Sequence, residues 1–152
     1  MSAMNKEPFV NDSRDRKLMA HGFLVFVASI MVGAVATWLP APRMGLSCHL
    51  NGLMNGMMLV LIGLVWSRLA LSDFQKSLLF WLAIIGVYCT FTMHLFAAIF
   101  PSGNRFMPLA SQGKVGSDWQ EGLVFLGIVI IGSTLIPVSW LTAWGLWRQK
   151  RD

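Results

Sequence analysis

Residues 122–147 read GLVFLGIVIIGSTLIPVSWLTAWGLW, 26 residues without one Asp, Glu, Lys or Arg. A helix of roughly 20 apolar residues crosses about 30 Å of hydrocarbon, so this stretch alone is long enough to span a bilayer. The same feature recurs three times elsewhere in the chain. Residues 18–42, 44–67 and 77–104 run 25, 24 and 28 residues without a formal charge. The third run is longer than a span needs, and Pro101 marks where its helix stops. Lipid offers no partner to an unpaired backbone group, so each run is expected to be helical. Of the 152 residues, 55% are hydrophobic and 12% charged, against about 25% charged in soluble domains. Mean hydropathy is +0.60.

The fold expected is an all-α membrane protein, a four-helix transmembrane bundle with spans at about 18–39, 45–67, 77–100 and 120–147. A polar arm, 1–17, and a basic tail, 148–152, flank this transmembrane domain, 18–147. Lys6, Arg14, Arg16 and Lys17 of the arm share one side with Arg68, Lys76, Arg148, Lys150 and Arg151 if there are four spans. By the positive-inside rule both termini are then cytoplasmic. The net charge of +5 reads as topology, and no basic patch interleaved with stacking aromatics points to nucleic acid. Trp38, Trp66, Trp119, Trp144 and Trp147 lie near span ends, as an aromatic belt in contact with lipid places them. The first run exceeds the 7–15 residues of a signal-peptide core, so it is expected to stay in the protein.

Polar residues inside spans are costly in lipid and often functional. The richest stretch is Met44-Gly-Leu-Ser-Cys-His-Leu-Asn-Gly-Leu-Met-Asn-Gly-Met-Met58. At about 100° per residue, Asn51 and Asn55 share one face of the helix, and His49 lies with Gly52 and Gly56 about 120° away from Asn55. A Gly52-x-x-x-Gly56 pair lets another backbone approach closely. It equally leaves room for a flat macrocycle beside an imidazole that ligates iron. Both readings stand at this level. By depth, His21 is too far from His49 to share a metal with it, and His94 is the better-placed second ligand or an interhelix hydrogen bond. Nothing like Cys-x-x-Cys-His occurs, which excludes covalent c-type haem; Cys48 and Cys89 read as buried thiols. Gly116-Ser-Asp-Trp-Gln-Glu121 reads as a helix start with Ser117 as N-cap, or as a polar rim over a pocket.

The stretch Pro42-Arg-Met-Gly-Leu-Ser-Cys-His-Leu-Asn-Gly-Leu-Met-Asn-Gly56 resembles the second-helix signature of the hydroxylaminobenzene mutases, which are related to the styrene oxide isomerases. Arg16-Lys-Leu-Met-Ala-His-Gly22 is similar to both groups, and the Gly116–Glu121 box is similar to the mutase branch. The resemblance covers most of residues 16–147. It implies a ferric haem b enzyme of the bacterial inner membrane, a homotrimer, with His49 as axial ligand and Gly52 and Gly56 beside the cofactor. Asn55 takes the place of a catalytic asparagine, and Asn51, Met93, Trp119 and Gln120 those of substrate-binding residues. The implied activity is the rearrangement of a small aromatic hydroxylamine by Lewis-acid activation of its oxygen.

The chain departs from the family pattern at three places. Phe91-Thr-Met93 stands where family members have Trp-Ala-Asn, Ala97 where the isomerases have a tyrosine, and Asn51 where the mutases have an acid. Styrene oxide isomerase-type chemistry is therefore the alternative rather than the first expectation. Two further classes stay open: a haem protein for electron transfer or sensing, with a second axial ligand, and a haem-free membrane protein. Apart from Glu121 at the start of the fourth, no charged residue lies within a span, so a proton-coupled pathway has little to work with.

Overall fold

The computed structural model describes residues 12–149. Its long helices are α1 (Ser13–Val35), α2 (Pro42–Val65), α3 (Asp73–Ile99) and α5 (Asp118–Trp147), with a single short helix, α4 (Pro108–Ser111), between the last two. Four segments are long and apolar enough to cross a membrane, Ser13–Trp38, Pro42–Arg68, Asp73–Ile99 and Asp118–Trp147. The protein is an all-α, multi-pass membrane protein.

Local chemistry sets each boundary. Asp12 caps α1 and accepts a hydrogen bond from the Arg14 backbone at 3.2 Å. The helix therefore begins five residues before the expected span, and Arg14, Arg16 and Lys17 belong to it rather than to a polar arm. Such side chains extend their charged ends past the apolar zone. The rest of the expected arm, 1–11, and residues 150–152 of the expected tail lie outside the described residues. Pro42 opens α2 at a position where a missing N–H removes no helical bond. Ser72 and Gln75 form a reciprocal capping box at the start of α3. That helix ends at Ile99, with Phe100 extended ahead of Pro101.

α1 and α2 form an antiparallel hairpin, and α3 packs against both α2 and α5. Glycines on α2 make the hairpin tight. A Cβ on Gly56 would stand 2.7 Å from the Gly22 carbonyl oxygen, and one on Gly63 would stand 2.8 Å from that of Asp15. Leu18, Val25, Leu59, Leu79, Val87 and Val138 are buried at the half of the bundle that carries the termini. A second cluster around Met44, Met93, Ala97 and Val124 fills the far half. Elsewhere the helices turn Phe23, Met31, Met54, Leu61, Ile136 and Trp140 outward, the surface that hydrocarbon solvates.

Candidate functional site

His49 lies on the flank of α2 that meets α1. Its Nδ1 is 2.7 Å from the carbonyl oxygen of Ser29. A carbonyl only accepts, so Nδ1 carries the proton and Nε2 holds the lone pair. Nε2 has no hydrogen-bond partner among the described residues. The ring is half-buried and rests against Gly33 of α1. An imidazole with one nitrogen anchored to a backbone carbonyl and the other free is the arrangement of a metal ligand with its orienting partner in place. Among the described residues no three His, Cys, Asp or Glu side chains gather to hold an ion. A single imidazole suits a metal whose remaining positions are filled by a macrocycle.

Gly52 and Gly56 face α1 rather than open space. A Cβ on Gly52 would run into the Ser29 side chain, 2.9 Å from its Cβ, and one on Gly56 would press on Gly22. The room these glycines leave is thus taken by α1 within the protomer. That is the helix-packing role of a small-xxx-small pair.

Asn51 and Asn55 point to the other flank of α2. Asn51 donates from Nδ2 to the Ser47 carbonyl at 2.9 Å. Asn55 is half-buried and makes no hydrogen bond among the described residues. An amide in a span without a partner is unfavourable in hydrocarbon. The same stripe of α2 continues through Met58, Ile62 and Val65. There, opposite Val138, Ser139 and Thr142 of α5, it lines an apolar groove of about 380 Å³. The two hydroxyls in that wall donate to their own helix, Ser139 to the Leu135 carbonyl and Thr142 to that of Val138.

Met93 and Trp119 lie at a third place, on either side of Phe96. Met93 covers Gly127 of α5. With Phe96 it lines a groove of about 360 Å³ between α3 and α5. Trp119 lies edge-on to Phe96, 6.0 Å between ring centres. Gln120 faces its own helix start, where its Oε1 accepts the Ser117 N–H at 2.8 Å. Among the described residues, then, the expected site residues occupy three flanks and do not form one cavity.

The other histidines are held inside the protomer. His21 meets the hydroxyl of Tyr88, the chain's one tyrosine, at 2.9 Å. His94 is buried and donates from Nδ1 to the Thr90 carbonyl at 2.8 Å. Reading the sequence alone missed Ser29 and Gly33, which carry no chemical signature in an apolar run. In the sequence, Glu121 belongs to a box that reads as a helix start or a polar rim. Its buried carboxylate gathers the backbone N–H groups of Gly103 at 2.7 Å and Gly116 at 3.1 Å. This clamps the loop between α3 and α5 onto the end of α5.

Comparison with known proteins bears on this arrangement. The family profile described as styrene oxide isomerase matches residues 14–147. Over 131 residues the chain is 34% identical to the hydroxylaminobenzene mutase HabB of Ectopseudomonas oleovorans, covering 86% of this chain and 80% of that protein. Over 107 residues it is 34% identical to the hydroxylaminobenzene mutase HabA of the same organism, covering 70% and 79%. No solved structure gives a significant match. The matched segment takes in all four spans and the flanks that carry His49, Asn55 and Met93, and the chain belongs to the styrene oxide isomerase family.

Proposed function

We propose that this enzyme, an isomerase, is a haem b-dependent membrane mutase that rearranges a small aromatic hydroxylamine without net oxidation or reduction. The observation that carries the reading is His49, whose Nδ1 is fixed on Ser29 while Nε2 stays unpaired. Ferric haem, when bound, supplies a Lewis acid for the substrate oxygen. Asn55 offers an amide donor and acceptor to the polar end of the substrate. The apolar walls around it exclude water, which protects a reactive intermediate from hydrolysis.

His49 and Asn55 face different flanks of one protomer, so a ring of copies, a homotrimer in this reading, joins one protomer's histidine face to another's asparagine face. The basic residues at the ends of the spans favour both termini in the cytoplasm, and the membrane in this reading is the bacterial inner membrane. Two observations favour the mutase over the epoxide isomerase. Both similar proteins are named as mutases. The position of the isomerase tyrosine is Ala97, fully buried, while Tyr88 is bonded to His21.

The test is an absorption spectrum of detergent-purified protein, oxidised and reduced, with haem measured per chain, followed by an assay on N-phenylhydroxylamine. Stoichiometric haem b and aminophenol formation are expected. A haem-free preparation after haem-replete growth overturns the cofactor. Turnover of styrene oxide without turnover of the hydroxylamine overturns the mutase assignment.

A further inference from the structure

We propose that Gly33 is a positioning residue for His49, holding its imidazole in the tautomer and direction that a ligand requires; the ligand role itself rests on the function proposed above. Three observations meet at this point of the α1–α2 seam. The Ser29 carbonyl takes the Nδ1 proton at 2.7 Å. One turn along α1, Gly33 lies so close to the ring that a Cβ there would stand 2.8 Å from both Cγ and Cε1 of His49. These two carbons flank Nδ1, so the bare backbone of residue 33 supports the bonded edge of the ring and leaves the Nε2 edge free. Nε2 has no partner among the described residues.

A hydrogen bond alone fixes one atom and lets the ring swing about it. The floor at Gly33 removes that freedom, and only glycine provides it, since the contact is shorter than any side-chain carbon tolerates. The anchor beneath is rigid as well. Ser29 is fully buried, and its own hydroxyl donates to the Val25 carbonyl at 2.6 Å. A methyl group at residue 33 moves the imidazole off the Ser29 carbonyl. The ring is then free to place its proton on Nε2, where it abolishes the lone pair.

The experiment uses the full-length protein in detergent, labelled with ¹⁵N-histidine, as wild type, Gly33→Ala, Gly132→Ala and His49→Ala. The last assigns the His49 signals, and Gly132 is a control with nothing within 4 Å of a Cβ. Nitrogen spectra read the tautomer directly, and haem titration reads affinity. Wild type and Gly132→Ala are expected to show the Nδ1–H form. Gly33→Ala is expected to lose it and to bind haem about tenfold to a hundredfold more weakly, as disturbed orienting partners do. An unchanged tautomer with unchanged haem affinity overturns the proposal.

The same titration in a His49→Gly background supplied with free imidazole separates positioning from helix packing. With the native ring gone, Gly33→Ala is expected to have no further effect, and an equal loss there overturns the proposal. Should Gly33→Ala fail to assemble, recovery in Gly33→Ala/His49→Gly supports it, because the vacated ring space accepts the methyl; no recovery overturns it. A haem-free wild type sinks the function proposed above and leaves this inference to be decided by the nitrogen spectra.

Discussion

The indole N–H of Trp66, at the end of α2, donates to the carboxylate of Asp12 at 2.8 Å, the same carboxylate that caps the start of α1. One acid therefore closes the first helix and ties it to the end of the second. Burial pushes the Asp12 carboxyl up, but hydrogen bonds from Arg14 and Trp66 outweigh it and the net shift is below the ordinary value of 3.8. A depressed folded-state pKa adds stability above the unfolded pKa, and that contribution disappears as pH falls through the folded value. Wild type is expected to lose thermal stability relative to Asp12→Asn as the pH drops below about 4. Parallel melting curves for the two proteins between pH 6 and 3 refute the linkage. At neutral pH, Asp12→Ala is expected to cost about 1 kcal/mol for the lost cap.

His49→Ala is expected to abolish haem retention, whereas His21→Ala and His94→Ala largely preserve it. His21 is committed to Tyr88, and His94 to the Thr90 carbonyl. The measurement is haem per chain in purified protein. Full occupancy in His49→Ala removes it as the ligand.

Asn55→Ala is expected to keep its haem and to lose turnover. Its amide makes no hydrogen bond among the described residues, so the protein has little to lose on folding. Loss of a hydrogen bond that acts on the reacting group costs about 10² in rate. Wild-type kinetics in this variant place Asn55 outside the site.

Ser102→Ala is expected to be neutral or stabilising. Its hydroxyl is buried with no hydrogen-bond partner among the described residues, and removing an unpaired buried polar group relieves about 1 kcal/mol. A lower melting temperature shows that the hydroxyl has a partner in the assembled enzyme.

The spans were legible because lipid excludes charge so strongly that four charge-free runs leave little choice. Their ends were less so. α1 starts at Ser13, inside a stretch whose Arg14, Arg16 and Lys17 read as solvated arm. Periodicity also separated His49 from Asn55 around α2, since the angle between two residues on one helix is fixed by their spacing. It did not say which neighbour each would meet. Gly52-x-x-x-Gly56 announced a close approach, and only the fold identified α1 as the approaching element. Glu121 is the opposite case. Its N–H donors come from Gly103 and Gly116, near the two ends of the loop between α3 and α5, and no local pattern encodes the pair.

The seat of His49 at Ser29 and Gly33 joins α1 to α2, two helices adjacent in the chain and packed along most of their length. During synthesis this hairpin is complete while α3 and α5 are still to be made, and domains formed early in the chain fold first. The nascent protein thus presents an oriented imidazole to the bilayer before the α5 wall of the groove exists. The order of the helices in the gene sets an order of events in which the seat of His49 is formed first and the α5 wall arrives last.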